Sequence, residues 1–203
     1  MEALVFWRGF LALFCVATLT ACNSARIETT VPTETAYAAE QFPVRLVDRS
    51  KFDRSYWPKD VVNETGLPAG TILVDTESNF LYLVKSDAVA RRYRIAVGAA
   101  GKAWKGEAVV ARKSKWPAWH PTDDMHAEAP GLPQRIEPGP HNPLGARALY
   151  LYRDGRDTLY RIHGTSEPWT IGTKASSGCI RLFNEDVIEL FDQVPEGTRV
   201  IVH

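Results

Sequence analysis

Cys179 and His163 are the two side chains in this sequence whose types and spacing suit nucleophilic chemistry. Cys179 stands in Ser176-Ser177-Gly178-Cys179-Ile180-Arg181, and His163 in Ile162-His163-Gly164-Thr165, 16 residues earlier. A thiol with an unperturbed pKa of about 8.5 is only a few per cent thiolate at neutral pH. An imidazole within hydrogen-bond reach can take its proton and later return it to a leaving amine. Gly178 lets the backbone turn tightly before the thiol, and the N–H groups of Gly178 and Cys179 can form an oxyanion hole. An imidazole in this role needs a partner that orients it. No acid in the sequence has obvious spacing for that, which leaves a backbone carbonyl as the substitute.

Cysteine usage sharpens the point. Of three cysteines, Cys15 lies in an apolar N-terminal run and Cys22 just after it, so only Cys179 belongs to the body of the chain. An unpaired thiol in an oxidising compartment needs a reason, and reactivity is one. The bland alternative is a small buried hydrophobe, but Ser-Ser-Gly before the cysteine is too polar and flexible for that. His163 taken alone could be a satisfied core histidine; its place at the end of a strand favours an edge. Arg181 could do no more than bridge to an acid such as Glu185. His120, His126 and His141 are scattered through a Pro-rich stretch without positioned carboxylates or thiols, which is poor metal-ligand geometry. We expect no metal. Most Trp residues are expected in the core; Trp119 and Trp169 fall near the two motifs and are left open between core and substrate contact.

The elements that must position these groups are mostly strands. Thr71–Asp75 and Phe80–Val84 are short apolar runs joined by a turn signal, so a hairpin is expected. Arg92–Val97 alternates and stops at Gly98, and Ala108–Trp116 is a further candidate. Pro117 to Gly145 holds seven of the 13 prolines; so long a connection is usually a lid or a pocket wall. Ala148–Tyr152 and Thr158–His163 form a second hairpin across Asp154-Gly155. Asn184–Val194 has the one clear helix signature, with Asn184 read as its N-cap and Glu185 and Asp186 in the first turn. Thr198–Val202 closes the chain as a strand. The fold class expected is mainly β, a mixed sheet with one short helix.

Composition bounds the rest. A chain of 203 residues suits one catalytic domain plus a targeting segment. Lys+Arg and Asp+Glu balance at 24 each, so no global charge favours nucleic acid. Residues 1–21 read as a secretory signal: Arg8, then an apolar run shorter than the roughly 20 residues a membrane span needs, then small residues. Leu19-Thr20-Ala21-Cys22 resembles a bacterial lipobox, which implies lipid attachment at Cys22; ordinary cleavage near Ala21, or an uncleaved anchor, is the alternative. Residues 22–42 lack apolar periodicity and read as a flexible tether. Residues 43–68 are a lead-in, and residues 69–203 the catalytic domain.

Over roughly residues 69–203 the sequence resembles the L,D-transpeptidase (YkuD-like) catalytic domain. The likeness rests on the His-Gly-Thr and Ser-x-Gly-Cys-Ile-Arg segments at about this separation. Pro117-Ala118-Trp119-His120-Pro121 and Gly139-Pro140-His141-Asn142-Pro143-Leu144-Gly145 also resemble family segments. The resemblance implies a β-sandwich-like fold, Cys179 as nucleophile, His163 as base and the Gly164 carbonyl orienting the imidazole. Gly178, Ser177 and Arg181 would shape the oxyanion and substrate site. Many members carry His where Ser177 stands, so His163 is left as the base at hand. The implied reaction is acyl transfer between peptidoglycan stems, through a thioester at the diamino acid–D-Ala bond. The acceptor would be a stem amine (a 3-3 cross-link), a Lys of an envelope protein, a free D-amino acid or, in a carboxypeptidase, water. The resemblance implies no cofactor, acylation by penem-type β-lactams, and a periplasm-facing envelope location. A non-catalytic wall-binding lipoprotein is the alternative of another class.

Overall fold

The computed structural model describes residues 34–99, 104–174, 176 and 178–203. The signal segment, Cys15, Cys22 and Ser177 lie outside them. Nine strands form one sheet: β1 (Lys59–Val62), β2 (Ile72–Asp75), β3 (Phe80–Val84), β4 (Val89–Arg94), β5 (Gly106–Lys115), β6 (Arg147–Arg153), β7 (Arg156–His163), β8 (Ile180–Arg181) and β9 (Arg199–Val202). Among the described residues two α-helices accompany them, α1 (Asp123–Glu128) and α2 (Asn184–Gln193). The spatial order is β1-β4-β3-β2-β9-β5-β6-β7-β8. The fold is thus mostly β with one main helix.

Local chemistry accounts for the hairpins. The β2–β3 turn is held by the Asp75 carboxylate, which accepts from the N–H groups of Glu77 (2.9 Å) and Ser78 (3.1 Å). In the β6–β7 turn Asp154 and Gly155 both take positive φ, 51° and 73°, the backbone twist that a two-residue hairpin requires. The closing strand β9 runs parallel to β2 and antiparallel to β5, and so joins the first hairpin to the second. At the other end β8 pairs with β7, and Arg181 also exchanges two backbone hydrogen bonds of 2.9 Å with Ala96, just past β4. The sheet therefore curls until β8 meets the chain just past β4, and the Cys179 segment lies in that seam.

Between the curled faces lies the core, with Ile72, Val74, Leu81, Ile95, Val110, Leu149, Leu151, Ile162 and Leu182 fully buried. Helix α2 packs Val187, Leu190 and Phe191 into the same cluster; burying such a side chain contributes roughly 1.5–3 kcal/mol. Its N-cap is Phe183, with no side-chain cap bond, rather than Asn184. Asn184 is the first helical residue, and its side chain reaches back to the chain around Ala146 and Thr165. A tertiary demand has overridden the capping preference.

The segment before β1 is packed against the domain. Glu40 pairs with the buried Arg147 and accepts from Trp116 Nε1 at 2.8 Å, while Tyr37, Phe42 and Val44 pack on Trp116, Ala146 and Ile188. Further along, Val47 N–H donates to Glu185 at 2.7 Å and the buried Arg49 pairs with Asp186. Residues 34–42, read from sequence as the end of a tether, are thus held in place: a buried arginine takes its counter-charge from them. No helix among the described residues is long and apolar enough to cross a membrane.

Candidate active site

His163 ends β7 and is 4% exposed. Its Nδ1 lies 2.5 Å from the carbonyl oxygen of Gly164. A carbonyl only accepts, so Nδ1 carries the proton and Nε2 the lone pair. Burial, assisted by the Arg181 and Arg161 guanidiniums and opposed by the Gly164 hydrogen bond, pushes the imidazole pKa down to about 3. The imidazole is neutral at any physiological pH.

Cys179 precedes β8 and is a half-buried free thiol. Backbone pins it from two sides. Leu182 N–H donates to His163 O at 2.8 Å, and Ser176 exchanges backbone bonds with Val97 and Ala99 at 3.0 and 2.9 Å. The Ser176 hydroxyl donates to Cys179 O at 2.6 Å and accepts from Gly178 N–H at 3.1 Å. The Gly178 N–H, expected from sequence as an oxyanion donor, is therefore engaged within the loop. Gly178 has φ +129°, a conformation that favours glycine. The thiol points at Leu159 O, 3.8 Å away. That carbonyl is turned outward by an irregularity in β7: Tyr150 pairs with Arg161 and Tyr152 with Asp157, so three residues of β7 lie opposite one of β6. Leu159, within this bulge, takes φ +63°. Burial raises the thiol pKa, opposed by the Arg161 backbone and by the Arg161 and Arg181 charges.

His163, Cys179 and Arg181 line one cleft of about 320 Å³, together with Ser176, Ser166 and Glu167, a volume in the range of small-ligand sites. Arg181 pairs with Glu167 at 2.9 Å, not with the helix acid Glu185. Glu185 is occupied by the Val47 N–H. The Pro-rich stretch forms the opposite wall. Trp119 and Ile136 exchange two backbone hydrogen bonds of 2.9 Å that pinch it at its base. Between them α1, capped by Thr122, brings Met125, Glu128 and Ala129 to the cleft, and Leu132 follows. Trp119 also lines the cleft; Trp169 lies outside it, 70% exposed beside a small adjoining pocket. None of His120, His126 and His141 lines the cleft, and among the described residues no group of three or more His, Cys, Asp or Glu is placed to hold a metal.

Sequence reasoning missed Glu167, Ser176 and Asn184. Ser176 belonged to a quoted motif, but its two hydrogen bonds depend on the loop's turn. Glu167 sits next to a proline with no periodic signal, and Asn184 carried a signal that suited a different role.

Chemically, the cleft combines a neutral imidazole, a thiol and the Arg181 guanidinium, and the Arg161 charge also acts on the thiol. That set can abstract a proton and hold a developing negative charge on sulfur. Residues 69–202 match the model of the YkuD family, described as the L,D-transpeptidase catalytic domain. The probable L,D-transpeptidase YbiS of Escherichia coli K12 is 38% identical over 151 residues, 70% of this chain and 47% of the relative. The chain thus spans about half of that protein. The putative L,D-transpeptidase YqjB of Bacillus subtilis is 33% identical over 150 residues, 72% of this chain and 77% of the relative. A solved structure from Brucella melitensis, described as a probable carnitine operon oxidoreductase, is 44% identical, with TM-score 0.52 over 73% of this chain and 94% of its own. An L,D-transpeptidase from Mycobacterium smegmatis shares the fold at 15% identity, with TM-score 0.51 over 78% of this chain and 86% of its own.

Proposed function

Because this chain belongs to the L,D-transpeptidase catalytic-domain family, we propose that it is a cysteine-dependent acyltransferase acting on peptidoglycan, with Cys179 as nucleophile and His163 as its base. The observation that carries this reading is the commitment of His163 Nδ1 to Gly164 O in a cleft shared with the thiol. It leaves Nε2 as a neutral acceptor, the state a general base needs.

In the reaction the thiol proton passes to His163 Nε2 as sulfur bonds to the carbonyl carbon of the third-position diamino acid. The carbonyl π electrons move to oxygen, giving a tetrahedral oxyanion. Its collapse breaks the bond to D-Ala nitrogen, which takes the proton back from the imidazolium, and a thioester is left on Cys179. An acceptor amine then attacks, giving its proton to Nε2. The new C–N bond forms, the C–S bond breaks and the thiol is restored. Arg161 and Arg181 favour the negative charge on sulfur during attack. The Gly164 carbonyl holds the proton on Nδ1 throughout, the part a carboxylate plays in a Ser-His-Asp triad. With water as acceptor the same steps give a carboxypeptidase. The apolar leader and Cys22 support an envelope location with a lipid at that cysteine, which a mass measurement of the mature N-terminal peptide tests.

The test of function is intact mass after the full chain is incubated with a carbapenem, followed by muropeptide turnover. Wild type is expected to gain one adduct. The adduct should be lost in Cys179→Ala and formed at least about a hundredfold more slowly in His163→Ala. Disaccharide tetrapeptides should yield a cross-linked dimer with loss of D-Ala. A folded chain that takes no adduct overturns the proposal; adduct formation with hydrolysis alone would make the enzyme a carboxypeptidase.

A further inference from the structure

The oriented imidazole depends on one peptide plane, that between Gly164 and Thr165. Its carbonyl receives the His163 proton, and its N–H, on the opposite side of a trans peptide, is directed at Asn184 Oδ1, 3.3 Å away. Asn184 Nδ2 donates to the next carbonyl, Thr165 O, at 2.9 Å. The same Oδ1 accepts from Ala146 N–H at 2.9 Å, which ties the start of β6 to the loop after β7. One amide side chain thus grips the loop that follows the catalytic histidine at two points and the neighbouring strand at a third.

The surroundings are closed tightly around that side chain. A Cβ on Gly164 or on Gly145 would lie 2.2 Å from Asn184 Oδ1, and Gly145 has φ +62°. Both positions are bare because the amide oxygen fills the space between them. Thr165 is 3% exposed, so water is not a ready substitute for the lost partner. A donated N–H also polarises its own peptide, which makes the Gly164 carbonyl a stronger acceptor for His163.

We infer that Asn184 is a positioning residue for the reaction: it fixes the Gly164–Thr165 peptide and through it the tautomer and orientation of His163. This rests on His163 serving as base to Cys179. The asparagine immediately before the helix's acidic pair is thereby part of a relay that runs Asn184, peptide plane, imidazole, thiol. The role lies outside the family motifs quoted above.

A double-mutant cycle on the full chain tests it, with wild type, Asn184→Ala, His163→Ala and the double variant. Two reagents report on Cys179, a carbapenem and iodoacetamide, and the His163 Nδ1–H resonance is followed by ¹⁵N-edited NMR. Asn184→Ala is expected to slow acylation about tenfold, the loss of roughly one buried hydrogen bond. It should also broaden or shift the Nδ1–H resonance. In the His163→Ala background the same change should cost nothing further, because the residue acts only through the imidazole. Equal slowing in both backgrounds, or an unmoved resonance in Asn184→Ala, overturns the inference and leaves Asn184 a stability residue. Should Asn184→Ala fail to fold, Asn184→Ser carries the same comparison. If the chain takes no carbapenem, the transpeptidase reading fails by itself, while alkylation and the resonance still judge Asn184.

Discussion

His163 gives its Nδ1 proton to the carbonyl of the residue beside it, Gly164, across 2.5 Å, and so presents a bare Nε2 lone pair. Burial, then the Arg181 and Arg161 charges, keep the ring neutral with a pKa near 3, and burial keeps the thiol above its ordinary value. In the proposed reaction, a pair held in this state would transfer its proton during attack rather than rest as thiolate and imidazolium. Carbapenem acylation of Cys179 is therefore expected to lack an inflection near pH ~6.5, the ordinary histidine range. It should rise through an alkaline limb set by the thiol. A limb near neutrality that vanishes in His163→Ala would show instead that the imidazole titrates there.

The same depressed pKa makes a statement about stability. In the unfolded chain the imidazole binds a proton below pH 6.5, whereas in the folded one it does so only below about 3. The unfolded state holds more protons across that window, so stability falls as pH is lowered through it and is unaffected by this group above it. Urea midpoints measured at several pH values should drop less steeply in His163→Gln than in wild type. Parallel curves would contradict a buried neutral imidazole.

Much of this was legible in the sequence, for identifiable reasons. The two hairpins were readable because apolar runs met turn residues of known geometry, as at Asp154-Gly155, where both residues take positive φ. The mainly β class followed from the same patterning, and the YkuD-type family from resemblance at the His163 and Cys179 motifs. Other features depend on contacts distant in sequence. That β9 lies between β2 and β5, and that Ala96 meets Arg181 across the seam, leave no mark in local periodicity. Asn184 looked like a cap because asparagine caps helices; the bare space at Gly145 and Gly164, 39 and 20 residues earlier, gave it another use. Glu40 sits in a stretch without apolar period, and only its distant partners, the buried Arg147 and Trp116 Nε1, explain why it is held.

The ion pair of Arg181 and Glu167 should set where the thiol titrates. Arg181 lowers the Cys179 pKa, while Glu167 stands 2.9 Å from that guanidinium and offsets its charge. Glu167→Gln is expected to move the alkaline limb of acylation to lower pH, and Arg181→Ala to higher pH. Shifts of the same sign in both variants would mean that the pair acts by shaping the cleft and not through its field.

Leu159 joins backbone strain to the site. Its φ of +63° costs a side-chain-bearing residue about 1–2 kcal/mol, and its carbonyl is the thiol's hydrogen-bond partner. The side chain is 60% exposed, so its removal sacrifices little burial. In Leu159→Gly the relief of strain opposes a gain of about 0.4–1 kcal/mol in unfolded-state entropy, and stability should stay near wild type. Leu159→Ile places a β-branched residue in the same left-handed conformation. It should lose about 1 kcal/mol or more in urea unfolding, with slower acylation as the Leu159 carbonyl turns away from Cys179. An isoleucine variant as stable and as reactive as wild type would show that the bulge relaxes freely and does not hold the thiol.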